Sequence, residues 1–133
     1  MPSRKPRCRV LIVEDEAAIS ILIEDMLIDF GTEILGPAAR MEDALRMARE
    51  ADIDLGVLDI NLAGEATYPV ADVLRARGIP FVFATGYNVN ALPEGFRGSP
   101  TLQKPFTFST FEATLREALA GQPCHHEASA AQG

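Results

Sequence analysis

Residues 9–16 read RVLIVEDE and carry the strongest structural signal in the chain. The run from Arg9 to Val13 is apolar after its first residue and rich in branched side chains, and acids follow it at once. A short apolar run with this ending predicts a buried strand, because a strand covered on both faces needs no polar positions. Across residues 17–30, apolar side chains recur at helical spacing until Gly31 ends the pattern. The first unit is therefore predicted to be a strand followed by a helix.

The same alternation repeats along the chain. Further strands are predicted at 33–35, 55–60, 80–84 and 102–103, and further helices at 41–51, 70–77 and 109–120. Residues 61–67 are polar, contain glycine and predict a loop. Between 88 and 100, two prolines and two glycines leave room for only a short helix. This order predicts an α/β protein with a doubly wound, five-stranded parallel sheet and about five helices, the fourth short or irregular.

Composition divides the chain into a basic extension at 1–8, a folded domain at 9–120 and a flexible tail at 121–133. Four of the 12 Lys and Arg residues lie within the first nine positions, whereas the chain holds 19 Asp and Glu. The folded domain is therefore acidic and repels the phosphates of nucleic acids. No DNA or RNA partner is expected.

Two further features concern the compartment. No apolar run approaches the ~18 residues that cross a membrane, so neither a membrane span nor a membrane partner is expected. The two cysteines, Cys8 and Cys124, lack the C-x-x-C spacing of metal or redox sites and are expected to be reduced thiols. The sequence therefore predicts one acidic domain that works in the cytoplasm.

Residues with charged or hydroxyl groups stand at the ends of the predicted strands. They are Glu14 and Asp15 after the first strand, Asp59 in the third, Thr85 after the fourth and Lys104 after the fifth. In an open parallel sheet the carboxyl ends of the strands form one edge, where ligands bind. We therefore expect acids, a hydroxyl and an ammonium group to share one site.

Carboxylates this close repel one another unless a cation lies between them, and hard oxygen ligands suit Mg²⁺. Mg²⁺ is therefore the expected cofactor. A phosphoryl group on Asp59 would meet this metal, the Thr85 hydroxyl and the Lys104 ammonium, which together position it and neutralise its charge. Lys104 is the only lysine outside the basic extension, and a compact ammonium suits phosphate in a tight pocket.

Each of these residues also has an ordinary structural explanation. The acids after the first strand could stabilise the start of the first helix, and Asp59 and Thr85 could be turn residues. Lys104 could be a solvated charge, and the isomer of the Lys104–Pro105 bond is open at this point. Their joint occurrence, each after a different strand, favours the functional interpretation.

The ordered motifs resemble the receiver domain of bacterial two-component response regulators. The matching segments are LIVEDE at 11–16, VLDIN at 57–61, TG at 85–86 and KPF at 104–106. The resemblance implies a flavodoxin-like sheet of order 2-1-3-4-5. It implies that Asp59 is the phosphoryl acceptor and that Thr85 and Lys104 contact the phosphoryl group. The implied ligands of Mg²⁺ are Glu14, Asp15, Asp59 and the backbone carbonyl of Asn61.

A narrower resemblance, and two departures from the usual receiver pattern, bear on how the protein would pass on its signal. Residues 80–87, PFVFATGY, look like a subgroup of single-domain receivers with a Phe-Ala-Thr-Gly-Tyr signature. Thr101 stands where most receivers have an aromatic residue three positions before the lysine, and Ala63 replaces a frequent proline. Tyr87 could take over part of the signalling or shield the phosphoryl group from water.

The resemblance implies a histidine kinase or a phosphotransfer protein as the donor. Only a short tail follows the last predicted helix, so the expected output is an altered interaction with a downstream protein. No enzyme activity is expected beyond self-catalysed phosphorylation and dephosphorylation of the aspartate. Relay, sink and switch roles stay open, as does a homodimer.

Two other functions compete with this interpretation. A degenerate receiver could serve only as a binding scaffold, although the complete set of acids, hydroxyl and lysine argues against it. An aspartate-nucleophile Mg²⁺ phosphatase would carry its nucleophile after the first strand, with another aspartate two positions on. Asp59 instead lies at the end of the third predicted strand, and Asn61 stands two positions on.

Overall fold

The computed structural model describes residues 8–86 and 92–119 of the 133 residues. Seven strands lie in these ranges: β1 Arg9–Val13, β2 Glu33–Ala38, β3 Leu55–Asp59, β4 Asn61–Leu62, β5 Glu65–Ala66, β6 Phe81–Thr85 and β7 Thr101–Gln103. Five of them form one parallel sheet in the order β2-β1-β3-β6-β7. Numbered within that sheet alone, the order is 2-1-3-4-5. The predicted fold class is therefore confirmed.

Four α-helices lie in the described residues: α1 Ala17–Asp29, α2 Met41–Glu50, α3 Tyr68–Ala76 and α4 Phe108–Leu119. Between β6 and β7 the described part of the chain holds one 3-10 turn, Glu94–Phe96. The predicted fourth helix is thus reduced to a single turn over 92–100, where Pro and Gly interrupt helical hydrogen bonding. The predictions for the basic extension up to residue 7, for Tyr87 and for the tail lie outside the described residues.

Side chains of the sheet alternate between two apolar layers, as the pleat of a strand requires. On one face, Leu11 and Phe83 pack with α2 and α3. On the other, Ile12 and Val82 pack with α1 and α4. Each fully buried side chain of this size stabilises the fold by about 1.5–3 kcal/mol. Because both faces are covered, β1 after Arg9 and β3 before Asp59 carry no polar side chain.

Helix α1 is apolar on more than one face. Ile23 and Leu27 are buried against the sheet, whereas Leu22 is 39% exposed. Ile21 and Ile28 are 57% and 61% exposed. Periodicity could not separate these positions, because apolar residues surround the helix and only packing selects the buried stripe.

An aromatic cluster holds the turn before β7 against α3. The rings of Tyr68 and Phe96 are stacked with centroids 5.3 Å apart, and Phe83 meets both rings edge-on. The Arg75 guanidinium lies 4.3 Å from the centroid of Phe96 and donates a hydrogen bond of 2.9 Å to the carbonyl of Gly95. This packing connects α3 to the segment that leads into β7.

Residues 61–67 contain a hairpin, so the prediction of a simple loop there is wrong. Strands β4 and β5 are antiparallel, and Ala63 and Gly64 form a two-residue turn with φ of 51° and 90°. Two positive φ angles in succession are typical of the tight turn that matches the twist of paired strands. The ring of proline fixes φ near −65°, so proline at position 63 is incompatible with this turn.

Cys8 is buried directly before β1 and is disulfide-bonded. The prediction of a reduced thiol is therefore wrong at this position, since sequence spacing gives no account of which sulfurs meet in space. Cys124 lies outside the described residues. Among the described helices, none combines the length and apolar character of a membrane span.

Candidate functional site

The carboxyl ends of β1, β3 and β6 bring polar side chains into the interior. Glu14, Asp59 and Thr85 are only 2%, 7% and 1% exposed, whereas Asp15 is exposed at the rim. Carboxylate oxygens of Glu14, Asp15 and Asp59 all lie within 4.8 Å of one another. Thr85 follows Ala84, the residue that pairs with Asp59 across the sheet. The predicted convergence of strand ends is therefore present.

Lys104 enters this cluster from the end of β7. Its Nζ lies 3.3 Å from Oε1 of Glu14 and 3.3 Å from Oδ2 of Asp59, and 3.8 Å from Oε1 of Glu16. The Lys104 backbone N–H donates to the carbonyl of Thr85 at 2.8 Å, which continues the β6–β7 pairing to the site. The Lys104–Pro105 peptide bond is cis. The Lys104 ammonium therefore forms ion pairs with two buried carboxylates.

Burial and neighbouring charges shift the pKa values of both Glu14 and Lys104. The pKa of Glu14 is raised from 4.5 to about 7 by burial, by a hydrogen bond with Asp59 and by the charge of Asp59; the backbone N–H of Glu16 and the charge of Lys104 only partly offset this. For Lys104, burial acts to lower the pKa, but the charges of Asp59 and Glu14 outweigh it and raise the pKa. The lysine stays charged, and the acids around it still carry excess negative charge. A second cation would relieve this excess.

A pH-dependent stability follows from Glu14. Because its pKa in the folded protein is raised to about 7, the folded state holds a proton that the unfolded state releases above pH 4.5, and stability falls as pH rises between these values. The amide side chain of the Glu14→Gln variant does not titrate. We expect it to raise the free energy of unfolding by on the order of 2–3 kcal/mol at pH 8, with no gain at pH 4.

Urea unfolding with a chelator present at the two pH values measures this difference. The matched control is Glu50→Gln at the exposed end of α2, for which the change should stay within about 0.5 kcal/mol. Equal stability of Glu14→Gln and the unchanged protein at pH 8 would contradict the argument.

The donor set fits a hard divalent cation. It consists of three carboxylates whose oxygens already approach one another, with one partly buried ammonium to balance them. The side-chain Oδ1 of Asn61 accepts the N–H of Gly64 at 2.8 Å, so this residue would offer its backbone carbonyl. Carboxylate and carbonyl oxygens together are the ligands that Mg²⁺ prefers. The predicted ligands therefore suit the predicted metal.

Two contacts around the site were not predicted from the sequence. The backbone N–H of Ala63 donates to Oδ2 of Asp15 at 3.1 Å, and the buried hydroxyl of Thr67 donates to the carbonyl of Asp59 at 2.6 Å. Of the residues in these contacts, only Thr67 has a recognisable sequence context, because it stands two positions before Pro69 at the start of a helix. Thr101, at the usual aromatic position, is half-buried and donates to the carbonyl of Ser99 at 2.9 Å.

Comparisons with known proteins agree on one family. The family model described as response regulator receiver domain matches residues 10–116. The transcriptional regulatory protein PdtaR of Mycobacterium tuberculosis is 32% identical over 116 residues, which are 84% of this chain and 57% of that protein. The chain thus spans little more than half the length of this curated relative.

Two solved structures show the same fold. SdrG from Sphingomonas melonis Fr1 superposes with a TM-score of 0.77 at 40% identity, over 85% of this chain and 97% of that one. The receiver domain of the sensor histidine kinase PA1611 from Pseudomonas aeruginosa superposes with a TM-score of 0.67 at 25% identity, over 86% and 98% of the two chains. That receiver domain carries a magnesium ion coordinated in its active-site cleft.

Proposed function

Because the chain belongs to the response regulator receiver domain family, we propose that it accepts a phosphoryl group on Asp59 and signals through an altered protein–protein interaction. The donor would be a histidine kinase or a phosphotransfer protein. The observation that carries the proposal is the cluster at the sheet edge, in which Asp59 lies beside Glu14 and Asp15 and 3.3 Å from the Lys104 ammonium.

Asp59 is held for attack on phosphorus. Its Oδ1 accepts the N–H of Asn61 at 3.1 Å, and its Oδ2 faces Lys104 at 3.3 Å. In the transfer, a carboxylate oxygen forms the new O–P bond while the P–N bond of a phosphohistidine breaks, and the imidazole nitrogen keeps the electron pair of that bond. Lys104 and the Thr85 hydroxyl would contact the phosphoryl oxygens, where negative charge must be neutralised.

Mg²⁺ completes the proposed site. Glu14, Asp15, Asp59 and the Asn61 carbonyl would hold it, and when bound it supplies positive charge to the phosphoryl oxygens. Burial and then the neighbouring Asp59 raise the pKa of Glu14, and the need for a cation beside these acids supports this role. The magnesium ion in the PA1611 receiver domain supports it further.

We propose that the protein turns over no free substrate, that its partners are proteins in the cytoplasm, and that the acidic surface keeps it from nucleic acids. The position of Asp59 at the end of β3 supports a receiver rather than an aspartate-nucleophile phosphatase. The paired Lys104 and buried Thr85 support an active receiver rather than a scaffold.

The test is the intact mass of the protein after incubation with acetyl phosphate, with and without Mg²⁺. One Mg²⁺-dependent phosphoryl adduct is expected, which hydroxylamine removes and peptide mapping assigns to Asp59. If neither acetyl phosphate nor any of a panel of histidine kinases yields the adduct, the scaffold function is favoured instead. Turnover of a phosphomonoester would favour the phosphatase.

A further inference from the structure

We propose that Thr67 is a positioning residue for the phosphoryl-acceptor site. Its hydroxyl holds the backbone of Asp59, and the β4–β5 hairpin that it anchors holds the carboxylate of Asp15. The inference rests on the proposed function, because it assigns Thr67 a part in metal binding and transfer at that site.

Thr67 joins the chain after the hairpin to the chain before it. The residue is fully buried, and its Oγ1 donates to the carbonyl of Asp59 at 2.6 Å. Its backbone N–H donates to the carbonyl of Ile60 at 2.9 Å. These two bonds close the base of the hairpin onto the carboxyl end of β3. The backbone of the acceptor is therefore connected directly to the start of α3.

The Thr67 hydroxyl does not form the capping hydrogen bond that is usual for a threonine at the start of a helix. Thr67 is the N-cap of α3, where a side-chain oxygen normally accepts an N–H from the second or third helical residue. No such bond is present. The second residue is Pro69, which has no N–H, and the N–H of Val70 bonds the Thr67 carbonyl at 2.9 Å. The side chain is thus directed toward Asp59 rather than used as a cap.

The β4–β5 hairpin connects the Thr67 hydrogen bonds to Asp15. Asn61 pairs with Ala66 at its base, and the N–H of Ala63 at its tip donates to Oδ2 of Asp15 at 3.1 Å. One short element is therefore bound to the Asp59 backbone at one end and to the Asp15 carboxylate at the other. If the base loosens, the separation of the two acids and the direction of the Asn61 carbonyl change together.

The comparison of Thr67→Val with Thr67→Ser tests the role. Valine keeps the shape and removes the donor, whereas serine keeps the donor. Mg²⁺ binding is measured by calorimetry with MgCl₂, the transfer rate by the mass of the acetyl phosphate adduct, and backbone order by amide hydrogen exchange at Asn61 and Ala63. Loss of a group that orients a metal ligand lowers metal affinity by about tenfold or more. We expect that loss and faster exchange for Thr67→Val, and values near the unchanged protein for Thr67→Ser.

A purely structural role would lower the melting temperature of Thr67→Val and leave Mg²⁺ affinity, transfer rate and exchange at Ala63 unchanged, and that result overturns the inference. If the unchanged protein itself forms no adduct, the proposed function fails, while the exchange rates of the two variants still decide whether Thr67 positions the hairpin. Should the valine variant not fold, Thr67→Cys offers a weak donor of similar size for the same comparison.

Discussion

Asp59→Asn is expected to abolish the phosphoryl adduct and to leave the fold intact. An amide oxygen is a far poorer nucleophile than a carboxylate oxygen, so the O–P bond does not form, while Oδ1 of the amide can still accept the N–H of Asn61. The substitution also removes a charge that lies against Glu14. We therefore expect a melting temperature equal to or above that of the unchanged protein, together with no adduct in the mass spectrum.

The matched control is Asp72→Asn on the exposed face of α3, which changes the same chemical group far from the site. It should form the adduct at the unchanged rate. An adduct of undiminished yield in Asp59→Asn would mean that another side chain accepts the phosphoryl group, and the assignment of Asp59 would be wrong.

Lys104→Met is expected to cause a large loss of stability. The substitution keeps the apolar stem but removes the ammonium that lies 3.3 Å from both Glu14 and Asp59. Removing one partner of a buried ion pair leaves a charge without compensation, and here two carboxylates are left. In urea unfolding with a chelator at pH 7.5, we expect a loss of about 3 kcal/mol.

Two comparisons identify the cause of this loss. Arg116→Met breaks a pair with Glu112 whose side chains are 68% and 35% exposed, and its cost should stay below about 1 kcal/mol. The double variant Glu14→Gln with Lys104→Met should regain part of the lost stability, because one unpaired carboxylate is gone. If Lys104→Met costs no more than Arg116→Met, the ammonium does not hold the acids together.

The sheet edge could be predicted because it depends only on strand direction. Asp59 ends an apolar run, and the ends of parallel strands meet whatever the loops do, so its approach to Glu14 and Lys104 follows from the order of elements. The side-chain distances within the cluster needed the structure, since burial and the direction of Lys104 are set by packing against several elements.

Other features had no local signal. Whether Leu22 faces the core depends on which stripe of an apolar helix meets the sheet, and the pattern of apolar residues did not distinguish the stripes. The hairpin at 61–67 is too short for alternation to mark its strands. The bond from Thr67 to the Asp59 carbonyl joins residues eight positions apart with no repeating motif between them. Such contacts arise only when a turn of defined geometry brings the residues together.

The two-residue turn at Ala63 and Gly64 has a consequence for the tolerance of this region to change in length. Four paired residues and two turn residues fill the interval between Ile60 and Thr67 completely. One inserted residue would reverse the faces of the following strand or force a bulge, and it would rotate the start of α3 relative to the aromatic stack at Phe96. Insertions and deletions at this turn should therefore disturb the site and the helix together.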